Sequence, residues 1–362
     1  MNLHTCIVTG GAGFIGCAIS AGLSQRFDRV IAADILHPQV HKSAARPAGL
    51  HEKVELLRLD ITDPLSWDQM LADLHPNVVI HLAAETGTGQ SITEATRHAH
   101  VNVTGTTVML DALARHDRIP ERILLTSSRA VYGDGAWVDP RTGAVSYPGY
   151  RGRAQLARAE WDFPGLHSLP CQAGETLPHP TSVYGATKLA QEHVLLAWAS
   201  AFGSIPIVTR LQNVYGPGQS LSNSYTGIVA LFCRLARAGK SIPLYEDGQM
   251  LRDFVLIEDV ASALLAALDL PEIGAQPYDV GTGKACTIAD VANQIAALYG
   301  APAPHVCGLY RFGDVRHASC QIEPTLRQLR WQPRFDLQRG LLRLQDWIET
   351  QFQREPGLGQ DD

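Results

Sequence analysis

Apolar residues fall along this chain in short β-branched runs that alternate with stretches of helical period, and that alternation predicts a parallel sheet covered by helices. Thr5-Cys6-Ile7-Val8-Thr9, Val30-Ile31-Ala32-Ala33, Val54 to Leu59, Val78 to Leu82, Arg122 to Thr126 and Ile205 to Leu211 are the strand candidates. Helical patterns follow Gly16, run from Ile92 to Asp117 through Val101, Val108, Leu110 and Leu113, and run again from Ser182 to Phe202. Past Leu211 the rhythm loosens. Helices are expected over 228–238, 258–268 and 288–299, with strands over 242–245, 253–256 and 278–280. A last apolar stripe, Leu337, Leu341, Leu344, Ile348 and Phe352, is core packing, and the polar stretch 354–362 is expected to fray. Residues 134–180 break the pattern. They are rich in Pro and Gly and mixed in charge, which predicts a functional loop insertion with a helix around 154–161.

The strand ends carry the first chemistry. Thr5–Thr9 breaks into Gly10-Gly11-Ala12-Gly13-Phe14-Ile15-Gly16 before a helix, the pattern of a dinucleotide-binding turn. Gly11 and Gly13 let the backbone turn tightly and approach a pyrophosphate, and Gly16 lets the helix pack on the strand. The helix N-terminus offers its unpaired N–H groups to the anion. Gly10, Gly13, Phe14, Ile15 and Gly16 are thus expected at the cofactor. The second strand ends in Asp34, where a carboxylate can accept the hydroxyls of an adenosine ribose. These signals together predict an α/β fold, a doubly wound parallel (Rossmann) sheet over 1–211 that also receives parts of 253–282. A smaller interleaved C-terminal substrate lobe is expected over 212–362. In such a sheet ligands lie beyond the carboxyl ends of the strands, so Asp60 and Ile61 are expected near adenine, and Leu82, Ala83 and Ala84 close to the cofactor. Asp60 reads equally well as a helix N-cap, with Thr62 and Asp63 beside it.

Composition narrows the classes. At 362 residues and 45% apolar content the chain can bury a large core, so a globular protein is expected. A net charge of −6 without a long basic run argues against nucleic acid or a membrane surface as partner. No apolar stretch approaches the roughly 20 residues of a membrane span, and the start lacks signal-peptide features, so a cytoplasmic location is expected. Seven scattered cysteines without a C-x-x-C pair suggest reduced thiols, with neither a disulfide framework nor a metal site.

Tyr184 and Lys188 stand four apart at the start of a helix, on one face. A free tyrosine has a pKa of about 10, and a nearby ammonium plus an oxidised nicotinamide would stabilise its phenolate as a base. Ser128, at the end of the fifth strand, is placed to hydrogen-bond the reacting oxygen.

Several motifs in order give the chain a clear resemblance. Thr9 to Gly16, His81-Leu82-Ala83-Ala84, Ser127-Ser128 before Val131-Tyr132-Gly133, Tyr184-x-x-x-Lys188, Asn213 to Pro217 and Arg252-Asp253-Phe254 resemble the extended short-chain dehydrogenase/reductase family, in its nucleotide-sugar epimerase/dehydratase branch. The resemblance, over about residues 3–345, implies a tightly held NAD, with Asn102, Tyr184 and Lys188 also at the cofactor. It implies a nucleoside diphosphate sugar as ligand, with Glu85, Ser128, Arg129, Asn213, Arg252 and Arg316 at the substrate. It also implies a homodimer formed through helices around 92–117 and 183–202. Asp34 followed by Ile35, with no arginine adjacent, favours NAD over NADP.

The dehydratases of that branch place an Asp-Glu pair directly after the hydroxyl residue, the acid and base that eliminate water. Here those positions are Arg129 and Ala130, which cannot do that proton work at neutral pH, so epimerisation is expected. The segments 85–91, 128–130 and 210–221 most resemble the 4-epimerases of dTDP-L-rhamnose. A UDP-galactose-type 4-epimerase, a 4-keto-sugar reductase and an inactive NAD-sensing protein are the alternatives.

Overall fold

The computed structural model describes residues 4–41, 43–221, 227–270 and 276–354. The first half lays down β1 (Thr5–Thr9), α1 (Phe14–Ser24), β2 (Arg29–Asp34), β3 (Glu55–Arg58), α2 (Pro64–Asp73) and β4 (Val78–His81). Then come α3 (Gln90–Thr93), α4 (Ala95–Ala99), α5 (Gly105–Arg115) and β5 (Arg122–Ser128). The insertion holds β6 (Trp137–Val138), β7 (Val145–Ser146), α6 (Arg153–Ala157) and β8 (His167–Ser168). It is followed by α7 (Val183–Phe202), β9 (Ile205–Leu211), β10 (Asn213–Tyr215), α8 (Ile228–Arg237), β11 (Pro243–Leu244), β12 (Leu251–Leu256) and α9 (Ile257–Ala267). The chain closes with β13 (Tyr278–Val280), β14 (Ala285–Thr287), α10 (Ile288–Tyr299), β15 (His305–Val306), β16 (His317–Ala318), α11 (Glu323–Leu329) and α12 (Leu337–Arg354).

Seven parallel strands form the main sheet in the order β13-β9-β5-β4-β1-β2-β3. Side chains alternate across each strand, so β1 sends Cys6 and Val8 to one face and Ile7 to the other. The first face packs on α1 and α9 through Ile19, Leu23, Val260 and Leu264, and the second on α2, α5 and α7 through Trp67, Leu71, Met109 and Leu195. Both faces are covered, which makes the sheet doubly wound, and its order reverses between β1 and β4. A second core gathers α8, α10 and α12 around β12, where Phe232, Ile295, Leu344 and Ile348 meet. No helix among the described residues is long and apolar enough to cross a membrane.

Three expectations change. The helix expected over 92–117 is broken: Glu94 leaves helical geometry between α3 and α4, and His100–Thr104 widens into a π-turn before α5. The wide turn is where Asn102 turns its amide onto the Glu85 peptide, accepting from Glu85 N–H at 2.7 Å and donating to its carbonyl at 3.0 Å. The helix expected over 154–161 is limited to α6, because Ala159 turns left-handed at φ 57°. Asp63, and not Asp60, caps α2, its carboxylate accepting from the N–H groups of Leu65 and Ser66. The fraying expected for 354–362 lies outside the described residues, apart from Arg354 in α12.

Candidate active site

The switch point between β1 and β4 opens into a cavity of about 330 Å³, lined by Gly10, Gly13, Asp34, Ile61, Ala83 and Val101 among others. Gly10 sits at φ +66°, and a Cβ there would lie 2.7 Å from the backbone nitrogen of Ala83. A Cβ on Gly16 would fall 2.4 Å from the carbonyl oxygen of Gly11, which brings α1 onto the turn. Gly11 itself packs on β2, with Ala32 Cβ 2.7 Å from its missing side chain. Its expected approach to a pyrophosphate therefore passes to Gly13, the α1 N-cap, which meets only the Gly10 carbonyl. Phe14 and Ile15 open the helix and pack against the first core.

Asp34 is fixed by two backbone donors, Ala12 N–H at 3.1 Å and Leu36 N–H at 2.9 Å. Each carboxylate oxygen keeps a second lone pair for a ribose hydroxyl. Asp60 lines the cavity too, with one oxygen accepting from the Thr62 amide and hydroxyl, both at 2.8 Å. Leu82, Ala83 and Ala84 are in the wall, as the strand-end argument expects. Asn102 is not. It is fully buried behind the wall, tied to Glu85 and to Thr187 Oγ1, so it braces the cavity without lining it. Glu85, expected at the substrate, lies in this same cavity with its carboxylate on Arg97 at 2.8 Å, because Asn102 holds its peptide there. The cradle fits a dinucleotide in shape and donor set. Gly10→Ala is expected to yield folded protein without retained cofactor, read from the nicotinamide absorbance of the purified protein; full occupancy would contradict the cradle.

Ser128 ends β5 and caps the next turn, its Oγ accepting from Ala130 N–H at 3.2 Å. The helix α7 starts at the Ser182 cap, whose Oγ accepts from Gly185 N–H at 3.0 Å. A Cβ on Gly185 would lie 2.4 Å from the Ala130 carbonyl, so the start of α7 rests directly on the turn after Ser128. That contact joins Tyr184 to Ser128. Burial pushes the Tyr184 phenol above its ordinary pKa, while the Ser128 hydrogen bond and the Arg129 charge pull it back. Lys188 is buried one turn further along α7. Burial lowers its pKa to about 7, against the pull of Glu192, and its Nζ donates to Gln191 Oε1 at 2.5 Å.

Opposite the cofactor cavity, strand register assembles a second set of groups. Ser128 pairs with Leu211 across β5 and β9, so Arg129 and Gln212-Asn213 emerge side by side. Arg129 Nη1, both Gln212 amide atoms and Asn213 Oδ1 are buried without a hydrogen-bond partner in the protein. Asn213 pairs with Phe254, which brings in Arg252 two residues earlier on β12. Arg252 donates to the carbonyls of Leu251, Val315 and Arg316 at 2.7, 2.6 and 3.2 Å. Burial, then the like charge of Arg129, lowers its pKa to about 9, with Asp314 and Asp134 opposing. Two crowded guanidinium groups and unpartnered polar atoms suit an anionic, hydroxyl-rich ligand.

Arg316 does not join them. Its Nε donates to Asp162 at 2.9 Å, and its Nη1 and Nη2 donate to Asp247 at 2.7 and 2.8 Å. With these carboxylates around it, Arg316 is a buried brace between the insertion and the Glu246–Asp247 turn. Arg151 joins the same cluster, pairing with Glu246 at 2.8 Å and donating to the carbonyls of Trp161 and Asp314. This clamps the 134–180 insertion onto the second core. Glu246 holds a left-handed φ of 52°, the strain kept where its carboxylate reaches both Arg151 and Arg316. None of these partners was legible beforehand, since Arg151 and Glu246 stand 95 residues apart.

A model of the NAD dependent epimerase/dehydratase family matches residues 6–153 and 163–281. A dTDP-L-rhamnose 4-epimerase of Burkholderia thailandensis is 58% identical over 349 residues, 96% of each chain. A dTDP-glucose 4,6-dehydratase of Haemophilus influenzae is 26% identical, covering 94% of this chain and 96% of the other. Among solved structures, the NAD complex of the Thermus thermophilus UDP-glucose 4-epimerase superposes with a TM-score of 0.75 at 26% identity, over 95% of this chain and 99% of that one.

Proposed function

The chain belongs to the NAD dependent epimerase/dehydratase family, and from that premise we propose a nucleotide-sugar 4-epimerase that interconverts dTDP-L-rhamnose and dTDP-6-deoxy-L-talose. The observation that carries the reaction type is the pair after Ser128. Arg129 and Ala130 offer neither a proton donor nor a base, so the site can oxidise and reduce C4 but cannot eliminate water. The substrate is taken from the kinship with the Burkholderia 4-epimerase along nearly the whole chain.

NAD would be held by Gly10, Gly13, Phe14, Ile15 and Gly16 at its pyrophosphate, by Asp34 at the ribose and by Asp60 and Ile61 near adenine, with Leu82, Ala83 and Ala84 alongside. When bound, it supplies the acceptor and donor of the C4 hydride, chemistry no side chain can provide. Tyr184, as phenolate, takes the proton of the C4 hydroxyl, and Ser128 holds the same oxygen by a hydrogen bond. Lys188 sits one helical turn on, with ammonium N–H groups for the nicotinamide ribose and the phenolate. Arg129, Arg252 and Asn213 hold the diphosphate and sugar hydroxyls. The sugar, as its 4-keto form, turns in the site, and Tyr184 returns the proton to the C4 oxygen as the opposite face is reduced.

The homodimer is proposed through α7 and the helices over 90–115, where Ile92 and Phe202 remain exposed. A cytoplasmic location is proposed with it. The test is an NMR screen of nucleotide sugars with the purified protein and no added cofactor. A talose-configured product from dTDP-L-rhamnose is expected. Turnover of UDP-galactose alone would replace the substrate, and no turnover by NAD-loaded protein would overturn the activity.

A further inference from the structure

Beneath the glycine turn, five buried side chains form one hydrogen-bonded chain that begins at Lys188. Its Nζ donates to Gln191 Oε1 at 2.5 Å. The Gln191 amide nitrogen lies 2.8 Å from Thr106 Oγ1 and 3.2 Å from His81 Nε2. His81 Nδ1 then lies 2.6 Å from Thr9 Oγ1, the hydroxyl immediately before Gly10. Thr9, His81, Thr106 and Gln191 are fully buried and Lys188 is 2% exposed.

The polarity of the Lys188 end of this chain is fixed by the Gln191 amide donating to Thr106. Thr106 donates its hydroxyl proton to the Asn102 carbonyl at 2.6 Å, while its oxygen accepts from the Gln191 amide at 2.8 Å and lies 2.9 Å from His81 Nε2. A flipped Gln191 would set its NH2 group against the ammonium, so Oε1 must face Lys188. Burial, and then the Lys188 charge, lowers the His81 pKa to about 3 and keeps the ring neutral. The charged and titratable groups facing Lys188 are Glu192 from its own helix and His81 from β4. Glu192 is already held by Arg210 at 3.0 and 2.7 Å and by Ser127. Gln191 is thus the acceptor available to the lysine.

We propose that Gln191 is a positioning residue that fixes the Lys188 head group relative to Tyr184 and the glycine turn, by accepting from the lysine and donating to Thr106. The inference rests on the proposed role of Lys188, but its test does not depend on activity alone. The chain has only five lysines, so protein labelled with ¹³C-lysine gives a simple spectrum in which Lys188 is the resonance lost in Lys188→Arg. Its midpoint is expected at about pH 7 in the native protein. Gln191→Glu, isosteric and still an acceptor, is expected to raise that midpoint by about one pH unit or more, and the basic limb of kcat with it. Gln191→Met is expected to lower the midpoint and to reduce kcat roughly 10- to 100-fold with KM for the sugar unchanged. Retained NAD absorbance reports that each variant is folded. Midpoints and pH profiles unchanged in both variants would overturn the proposal, as would equal loss of kcat without a shift in either midpoint. If the midpoints move as stated while no sugar is turned over even by the native protein, the activity reading fails and the positioning role stands.

Discussion

Tyr184→Phe is expected to lower kcat by about 10²- to 10⁴-fold while leaving the NAD content of the purified protein unchanged. The phenol, hydrogen-bonded to Ser128, can both take and return a proton, and phenylalanine keeps the ring while removing that proton. The start of α7 is set by the Ser182 cap and the Gly185 contact with Ala130, neither of which involves the hydroxyl, so the fold and the cradle should survive. The rate is read by NMR and the cofactor by absorbance. Undiminished turnover would remove Tyr184 from the reaction. The same geometry gives a signed pH effect. Because the Arg129 charge lowers the Tyr184 pKa, Arg129→Met should move the acid limb of the profile to higher pH.

The largest loss of stability is expected at Glu192→Ala, about 3–5 kcal/mol in denaturant titration. Glu192 and Arg210 are paired at 2.7 Å with side chains only 2% and 5% exposed, and Glu192 also accepts from Ser127 on β5. Arg210 in turn lies over the Tyr132 ring, 4.7 Å from its centroid, and Tyr132 donates to Asp279. Removing the carboxylate strands a guanidinium at the seam of α7, β5 and β9. The double variant Glu192→Leu, Arg210→Met should recover most of the loss, because no charge is then left unpaired. A loss under about 1 kcal/mol in Glu192→Ala would show that the seam does not depend on the pair.

The parts of this molecule that sequence reveals are the local ones. The sheet strands, the glycine turn and the Tyr184–Lys188 spacing follow from period, turn chemistry and helix geometry within a few residues. The π-turn around Asn102 was not legible, because it answers to the Glu85 peptide, a contact made only after folding. The ion-pair partners of Arg316 were hidden for a similar reason. Its motif position suggests a phosphate contact, yet Asp162 and Asp247, 154 and 69 residues away, reach it first. Gln191 carried a faint signal, one turn beyond Lys188 on the same helix, but the neighbours of its amide nitrogen come from β4 and α5.

The most direct test of the central claim uses dTDP-L-rhamnose deuterated at C4, incubated in ordinary water with purified protein and no added cofactor. The deuterium should appear fully retained at C4 of the talose-configured product, because it leaves and returns within one closed site. Loss of the label to solvent would contradict transient oxidation at C4 and point to proton abstraction instead.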